Sequence, residues 1–368
     1  MRRLIASLGL AALLITPAVA QPAPQANQAQ GAQAQGGQNR QQARAAPART
    51  LDAVRRRGHL LCGVNGSLVG FSAPDPAGQM RGLDADFCRA VAAAVFGDAE
   101  KVRFLPQLTV EGGLDALTAR QIDVLARNAT VTLSRDGSRP VIPTAVLFYD
   151  GMGFLVPRSL NVTSARQLRD KTVCWAGAAG PGTAGDALTA YGERHGLGLT
   201  IRRYEQPAQV VAAMEAGECH AFAADSGALV ARRVTEFRVP ENWLVLADIV
   251  SREPLSPFVR ADDEDWRALV FWVMHVLTGA EYLGVSSANL IENLGNPDPR
   301  IRQMLAVEPG FGRTLRLPDN WAARVISTVG NYGEIFERNL GRQSVIGMDR
   351  GLNDQWTRGG LIYSFPTR

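Results

Sequence analysis

Acidic residues are missing from the first fifty positions, and that absence reassigns the charge of the chain. The 368 residues carry a formal net charge of +4. Residues 1–50 hold Arg2, Arg3, Arg40, Arg44 and Arg49 with no Asp or Glu, so the remainder sums to −1. A nucleic-acid binder needs a concentrated basic footprint to neutralise phosphates, and a near-neutral main body excludes that class. Long apolar runs are missing beyond the N-terminus. A bilayer span takes roughly 20 apolar residues, whereas the run 268–277 is short and contains His275. The four histidines (His59, His195, His220, His275) form no H-x-x-x-H pair, and G-x-S-x-G and C-x2-C are absent. A zincin helix, a hydrolase nucleophile elbow and a zinc ribbon are therefore not expected, nor is any other metal or cofactor.

What is present begins with an export signal. Arg2 and Arg3 precede an apolar stretch over 4–15, and Ala18-Val19-Ala20 is a small-x-small site, so cleavage after Ala20 is expected. Residues 21–50 are rich in Gln, Ala, Pro, Gly and Arg and cannot bury enough apolar area to offset their ordering entropy. They read as a disordered spacer. The mature chain is expected to be soluble and exported.

Four cysteines in an oxidising compartment favour disulfides, and four permit three pairings. Pairing within each half, Cys62 with Cys88 and Cys174 with Cys219, is the expectation because each would staple a strand to a neighbouring element. His220 beside Cys219 reads as a strand-edge histidine without a partner motif for thiol chemistry.

Strand and helix patterns alternate. Strands are expected over 60–64, 102–105 and 122–126, with helices over 83–96 and 113–120. The pattern then repeats, with strands over 172–175, 200–204 and 220–224 and helices over 183–195 and 206–216. Two successive βαβαβ-like halves imply two α/β lobes. Beyond residue 262 the pattern is helical, over 265–277, 301–305 and 319–337. Gly180-Pro181-Gly182-Thr183-Ala184-Gly185 spells G-x-G-x-x-G ahead of a helix, with Glu205 further on. The export signal and the mid-chain position argue against a dinucleotide site, but a glycine-rich loop at a helix start still offers backbone N–H groups to an anion.

Several segments resemble a known family. Cys62-Gly63-Val64-Asn65, Gly70-Phe71-Ser72-Ala73-Pro74-Asp75 and the run 82–91 resemble the opening of periplasmic amino-acid-binding proteins. The segment 123–136, with Asn128, Thr130 and Arg135, is similar to their carboxylate-binding motif. Asn331-Tyr332-Gly333-Glu334 and the residues to 339 resemble the general L-amino-acid-binding subgroup. The likeness runs from 51 to 368. It implies the substrate-binding component of a polar amino-acid ABC transporter, with a type II periplasmic-binding-protein fold: two α/β lobes on a hinge and a C-terminal helical extension. Lobe 1 is expected over 51–155 and 260–368 and lobe 2 over 156–259, with chain crossings at 154–159 and 256–262. The implied partners are an amino-acid-like ligand and a membrane permease, with no nucleic acid, for a periplasmic monomer that is not an enzyme.

By that resemblance Arg135 clamps the ligand carboxylate, its planar fork offering bidentate geometry. Thr130 is the matching hydroxyl, Asn128 a further donor or acceptor, and Asp225 the lobe 2 acid that receives the ammonium. Asn65, Leu68 and Phe71 fall near the side-chain pocket, and Ala179 and Gly180 belong to the lobe 2 loop. On the residues alone, Arg135 also reads as a solvated loop arginine, Asp225 as a helix N-cap and Phe71 as core. Three departures imply a changed or relaxed ligand: the loop 176–182 lacks the usual hydroxyls unless Thr183 replaces them, Leu68 replaces an aromatic lid, and Ala129 and Gly113 replace larger or polar types. Two other classes remain open, an exported cyclohexadienyl-dehydratase-like enzyme on the same fold and a sensory module presenting its ligand to a receptor.

Overall fold

Residues 49–177 and 183–367 are described by a computed structural model. The signal expected at 1–20, nearly all of the expected spacer, and Ala179 and Gly180 lie outside those residues. From Thr50 the chain runs through helix α1 (Thr50–Arg57), strand β1 (Leu60–Val64), a small hairpin of β2 (Ala73–Pro74) and β3 (Met80–Arg81), and α2 (Leu83–Phe96). It continues through β4 (Val102–Pro106), α3 (Val110–Thr118), β5 (Val124–Leu125), α4 (Leu133–Ser138), β6 (Val141–Pro143) and β7 (Phe148–Asp150). A second alternation follows: β8 (Met152–Pro157), β9 (Thr172–Ala176), α5 (Thr183–Arg194), β10 (Thr200–Tyr204), α6 (Pro207–Glu215), β11 (Ala221–Asp225) and α7 (Ser226–Thr235). Strands β12 (Trp243–Val245), β13 (Glu253–Leu255) and β14 (Phe258–Arg260) precede the terminal helices α8 (Glu264–Tyr282), α9 (Pro299–Met304), α10 (Trp321–Val329) and α11 (Tyr332–Asn339).

These strands build two five-stranded sheets, in the orders β4-β1-β5-β14-β6 and β10-β9-β11-β8-β12. In the first, β1 is parallel to β4 and β5, and β14 returns antiparallel between β5 and β6. In the second, β9 is parallel to β10 and β11, and β8 returns antiparallel to β11 and β12. A separate antiparallel ladder, β7 with β13, pairs Asp150 with Glu253 and Phe148 with Leu255. The chain leaves the first sheet through β7 and comes back through β13. Phe154 therefore lies inside the second sheet and Phe258 inside the first, so both crossings come earlier than 154–159 and 256–262. The apolar run of β8 is continuous, and no residue within it marks a boundary. The break is at Gly151, where a Cβ would come within 2.5 Å of the Ser251 carbonyl oxygen. Only glycine lets the two connecting segments pass so closely.

Other boundaries also differ from expectation, α8 running on to Tyr282 rather than ending at 277 among them. Arg49 and Thr50 belong to the folded part rather than the spacer: Arg49 meets Asp265 at 2.6 Å, and the buried Thr50 donates its N–H to Asp263. Helix α3 starts at Val110 instead of 113 because Thr109 caps it, its hydroxyl accepting from Gly112 N at 3.0 Å. The helix expected over 319–337 is two helices. Gly330, at φ 85°, ends α10, and Asn331 with Glu334 forms a capping box that starts α11.

Both disulfides have the expected pairing. Cys62 of β1 joins Cys88 of α2 with Cα atoms 6.3 Å apart, and Cys174 of β9 joins Cys219 just ahead of β11 at 5.9 Å. Helix α2 is buried on every side except at its last residue, because the terminal helices cover the face turned away from β1. Asp86 of α2 holds that cover, accepting from Arg338 Nε at 2.8 Å and Asn339 Nδ2 at 2.7 Å while pairing with Arg89 at 3.1 Å.

Candidate functional site

The connection from β5 to α4 carries the first half of the site. Asn128 adopts a left-handed backbone, φ 49°, which turns the chain sharply after β5. Thr130 forms a bridge to Leu255, and Thr132 caps α4 by accepting from Arg135 N at 3.2 Å. That cap places Arg135 in the first turn of α4, where its Nη1 donates to the Thr130 carbonyl at 2.9 Å and its Nε reaches Glu111 at 3.3 Å. The side chain is 14% exposed, so it is not a solvated loop arginine.

The second half comes from the end of β11. Asp225 occupies the N-cap position of α7 but makes no capping hydrogen bond. Asp150 of β7 has taken that place instead. Its carboxylate accepts from Gly151 N at 2.8 Å and from Gly227 N at 3.1 and 3.2 Å. A glycine at 227 is required there, since a Cβ would stand 2.8 Å from Asp150 Oδ2. Asp225 is thus left with no side-chain hydrogen bond among the described residues, and its carboxylate lines a cavity.

That cavity, of about 200 Å³, is lined by Asn65, Phe71, Asn128, Thr130, Arg135 and Asp225 together, six of the described residues expected at the site. Leu68 and Thr183 also line it. Phe71 is core and lining at once: it is 1% exposed, packs edge-on against Phe148 with ring centroids 5.2 Å apart, and still borders the cavity. Asn65 Oδ1 is engaged by Ser67 N at 3.2 Å and Ser67 Oγ at 2.9 Å. Thr130 Oγ1 donates to Glu253 at 2.6 Å, so it faces the cavity as an acceptor. Ala129 and Gly113 do not belong here. Ala129 is fully buried with Leu114 and Leu125, and a Cβ on Gly113 would meet Leu125 Cδ1 at 2.6 Å. Their small size serves packing beneath β5.

Four charged residues at or behind the cavity were not anticipated: Arg127, Asp150, Arg232 and Glu253. Arg127 sits in the same motif as Arg135. Asp150 and Glu253 face each other across the β7–β13 ladder, a proximity that no local pattern announces. Burial pushes the Asp150 carboxyl up to about 7, and the Glu253 charge adds to that while the Gly151 and Gly227 N–H groups oppose it. Burial also drives Asp225 well above the usual carboxylate range, reinforced by Asp150 and Glu253 and opposed by Arg135. Three crowded acids in a shielded place favour a cation arriving beside them. One guanidinium facing one uncapped carboxylate fits a zwitterion.

Residues 60–277 match the bacterial extracellular solute-binding proteins, family 3. The chain belongs to that family. It is 41% identical over 329 residues to the general L-amino acid-binding periplasmic protein of Rhizobium johnstonii, covering 89% of this chain and 95% of that one. It is 41% identical over 330 residues to the glutamate/glutamine/aspartate/asparagine-binding protein of Rhodobacter capsulatus, covering 89% and 95%. Among solved structures, an ABC transporter periplasmic binding protein from Brucella ovis with glutathione bound superimposes with a TM-score of 0.83 at 37% identity, over 87% of this chain and 100% of that one. The family is periplasmic, and its two-lobe type II fold is the one described above. Among the described residues no helix is long and apolar enough to cross a membrane.

Proposed function

We propose that this solute-binding protein holds an amino acid by its head group, with Arg135 on the carboxylate and Asp225 on the ammonium. Lobe 1 is then 51–147 with 256–368, and lobe 2 is 152–246, closing on a hinge made by β7 and β13. The observation that carries the reading is the uncapped Asp225: with Asp150 at the start of α7, the Asp225 carboxylate has no structural employment and shares the cavity with Arg135. Thr130 and the buried Oδ1 of Asn128, which has no partner among the described residues, add acceptors for an ammonium. Asn65 and Phe71 border the ligand's side chain, and Ala179 and Gly180, outside the described residues, belong to the loop that would approach the carboxylate from lobe 2. The ligands of the relatives (amino acids for two, glutathione for the third) share that zwitterionic head. In this reading the leader is removed after Ala20, the protein is a monomer, and the membrane permease of an amino-acid ABC transporter receives the ligand.

Asp150 gives an enzymatic alternative its one foothold, since a carboxyl near 7 suits a general acid. Its oxygens are already turned to the α7 N–H groups, which favours an anchor over a proton donor. Absence of turnover with a prephenate-like substrate would be the expected result. The decisive test is a thermal-shift screen of amino acids, followed by calorimetry on Arg135→Ala and Asp225→Ala. Truncating one partner of a desolvated charge pair costs about 2–5 kcal/mol, so each variant should bind roughly 30-fold more weakly or worse. Variants that bind as the parent does would remove both residues from the site.

A further inference from the structure

The cavity holds more guanidinium than one α-carboxylate uses. Arg127, Arg135 and Arg232 all line it. Arg232 is closed by Glu236 one turn along α7, and Arg135 meets Glu111. Arg127 differs from both. Its Nε donates to the Gln107 carbonyl at 2.6 Å and its Nη2 to the Leu108 carbonyl at 2.7 Å, both on the connection from β4 to α3. These two bonds fix the plane of the guanidinium without neutralising it. No carboxylate pairs with it within 4.0 Å among the described residues, and Nη1 is left without a protein partner there.

The acid that acts on Arg127 from a distance is Asp84, at the start of α2. Asp84 is 3% exposed, its Oδ2 has no partner among the described residues, and burial pushes its carboxyl up to about 7. Near neutral pH it is only partly ionised and counters Arg127 weakly. Burial and the neighbouring Arg135 charge bring Arg127 itself down to about 10, still protonated at any physiological pH. A fixed, desolvated and uncompensated guanidinium on a cavity wall is a site that gains most from an anion with two acceptor oxygens.

We infer that Arg127 is the subsite for a second carboxylate, so the cavity favours ligands that carry an amino-acid head and a distal carboxylate over neutral isosteres. This rests on the head-group reading of Arg135 and Asp225. Two ligand sources share the chemistry, an acidic amino acid and a γ-linked peptide such as glutathione, whose glycine carboxylate lies further from the head.

Calorimetry with two ligand pairs tests it: L-glutamate against L-glutamine, and reduced glutathione against its glycine ethyl ester. The wild-type chain should prefer the charged member of at least one pair by roughly tenfold or more, and Arg127→Gln should reduce that preference to within about threefold. The pair whose preference collapses identifies the source. Equal affinities within both pairs in the wild-type chain would overturn the inference without any variant and leave the head-group reading standing, so a variant that fails to fold does not shield it. Equal losses for both members of a pair in Arg127→Gln would also overturn it, assigning Arg127 to the shared α-carboxylate. If the wild-type chain binds neither these ligands nor any other amino acid, the head-group reading falls and takes the subsite with it.

Discussion

At the scale of single residues, the site depends on an exchange between two aspartates 75 positions apart in the chain. By position Asp225 should cap α7, and a local reading offers it that role. Asp150 reaches the same N–H groups only because β7 ends beside the start of α7, and that meeting is invisible until the chain is folded. The displaced Asp225 stays charged only at a cost, which gives a pH prediction. Asp84, Asp150 and Asp225 hold protons to higher pH in the folded chain than in the unfolded one. Their contribution to stability is whole below about pH 4 and is lost as pH rises through the folded values, about 7 for Asp84 and Asp150. His275 acts oppositely, its value lowered by burial to about 4, but that contribution is complete above about 6.5. Between about pH 6.5 and 8.5 the melting temperature of ligand-free protein should fall, and a saturating ligand with an ammonium should flatten the slope. A melting temperature that rises across that window without ligand would contradict the acid cluster.

Elements were legible where periodicity and punctuation coincide. Helix α2 begins after Gly82 and ends at Gly97, φ 73°, with apolar spacing throughout, and both its span and its cystine were readable. The boundary between α10 and α11 was not, since apolar spacing runs through Gly330 and only the Asn331 capping box separates the two helices. Nor were the crossings, because β8 is apolar on both faces and carries no alternation to mark where one sheet yields to the other. The cystines close loops spanning 26 and 45 residues. In the loop-entropy picture each contributes roughly 3–4 kcal/mol. Cys62→Ser/Cys88→Ser and Cys174→Ser/Cys219→Ser should each lower the denaturation midpoint accordingly. Either double variant unfolding at the parent's urea midpoint would show that its cross-link adds nothing.

For the whole molecule, the two-sheet plan follows from the repeated strand–helix alternation, whereas the cavity's charge pattern depends on residues that the ladder of β7 and β13 brings together. Ligand should draw the lobes together about that ladder, lowering the radius of gyration. Scattering curves that superimpose with and without saturating ligand would sink the closure. The order of strands in the first sheet also bears on how the chain is born. Residues 152–245 supply every strand of the second sheet in one stretch, while β5 lacks its neighbour β14 until residues 258–260 have been made. A chain appearing N-terminus first therefore completes its later-encoded half before its earlier one. In the interval β5 and the apolar flank of α2 wait uncovered, a window in which a holding chaperone would find its grip.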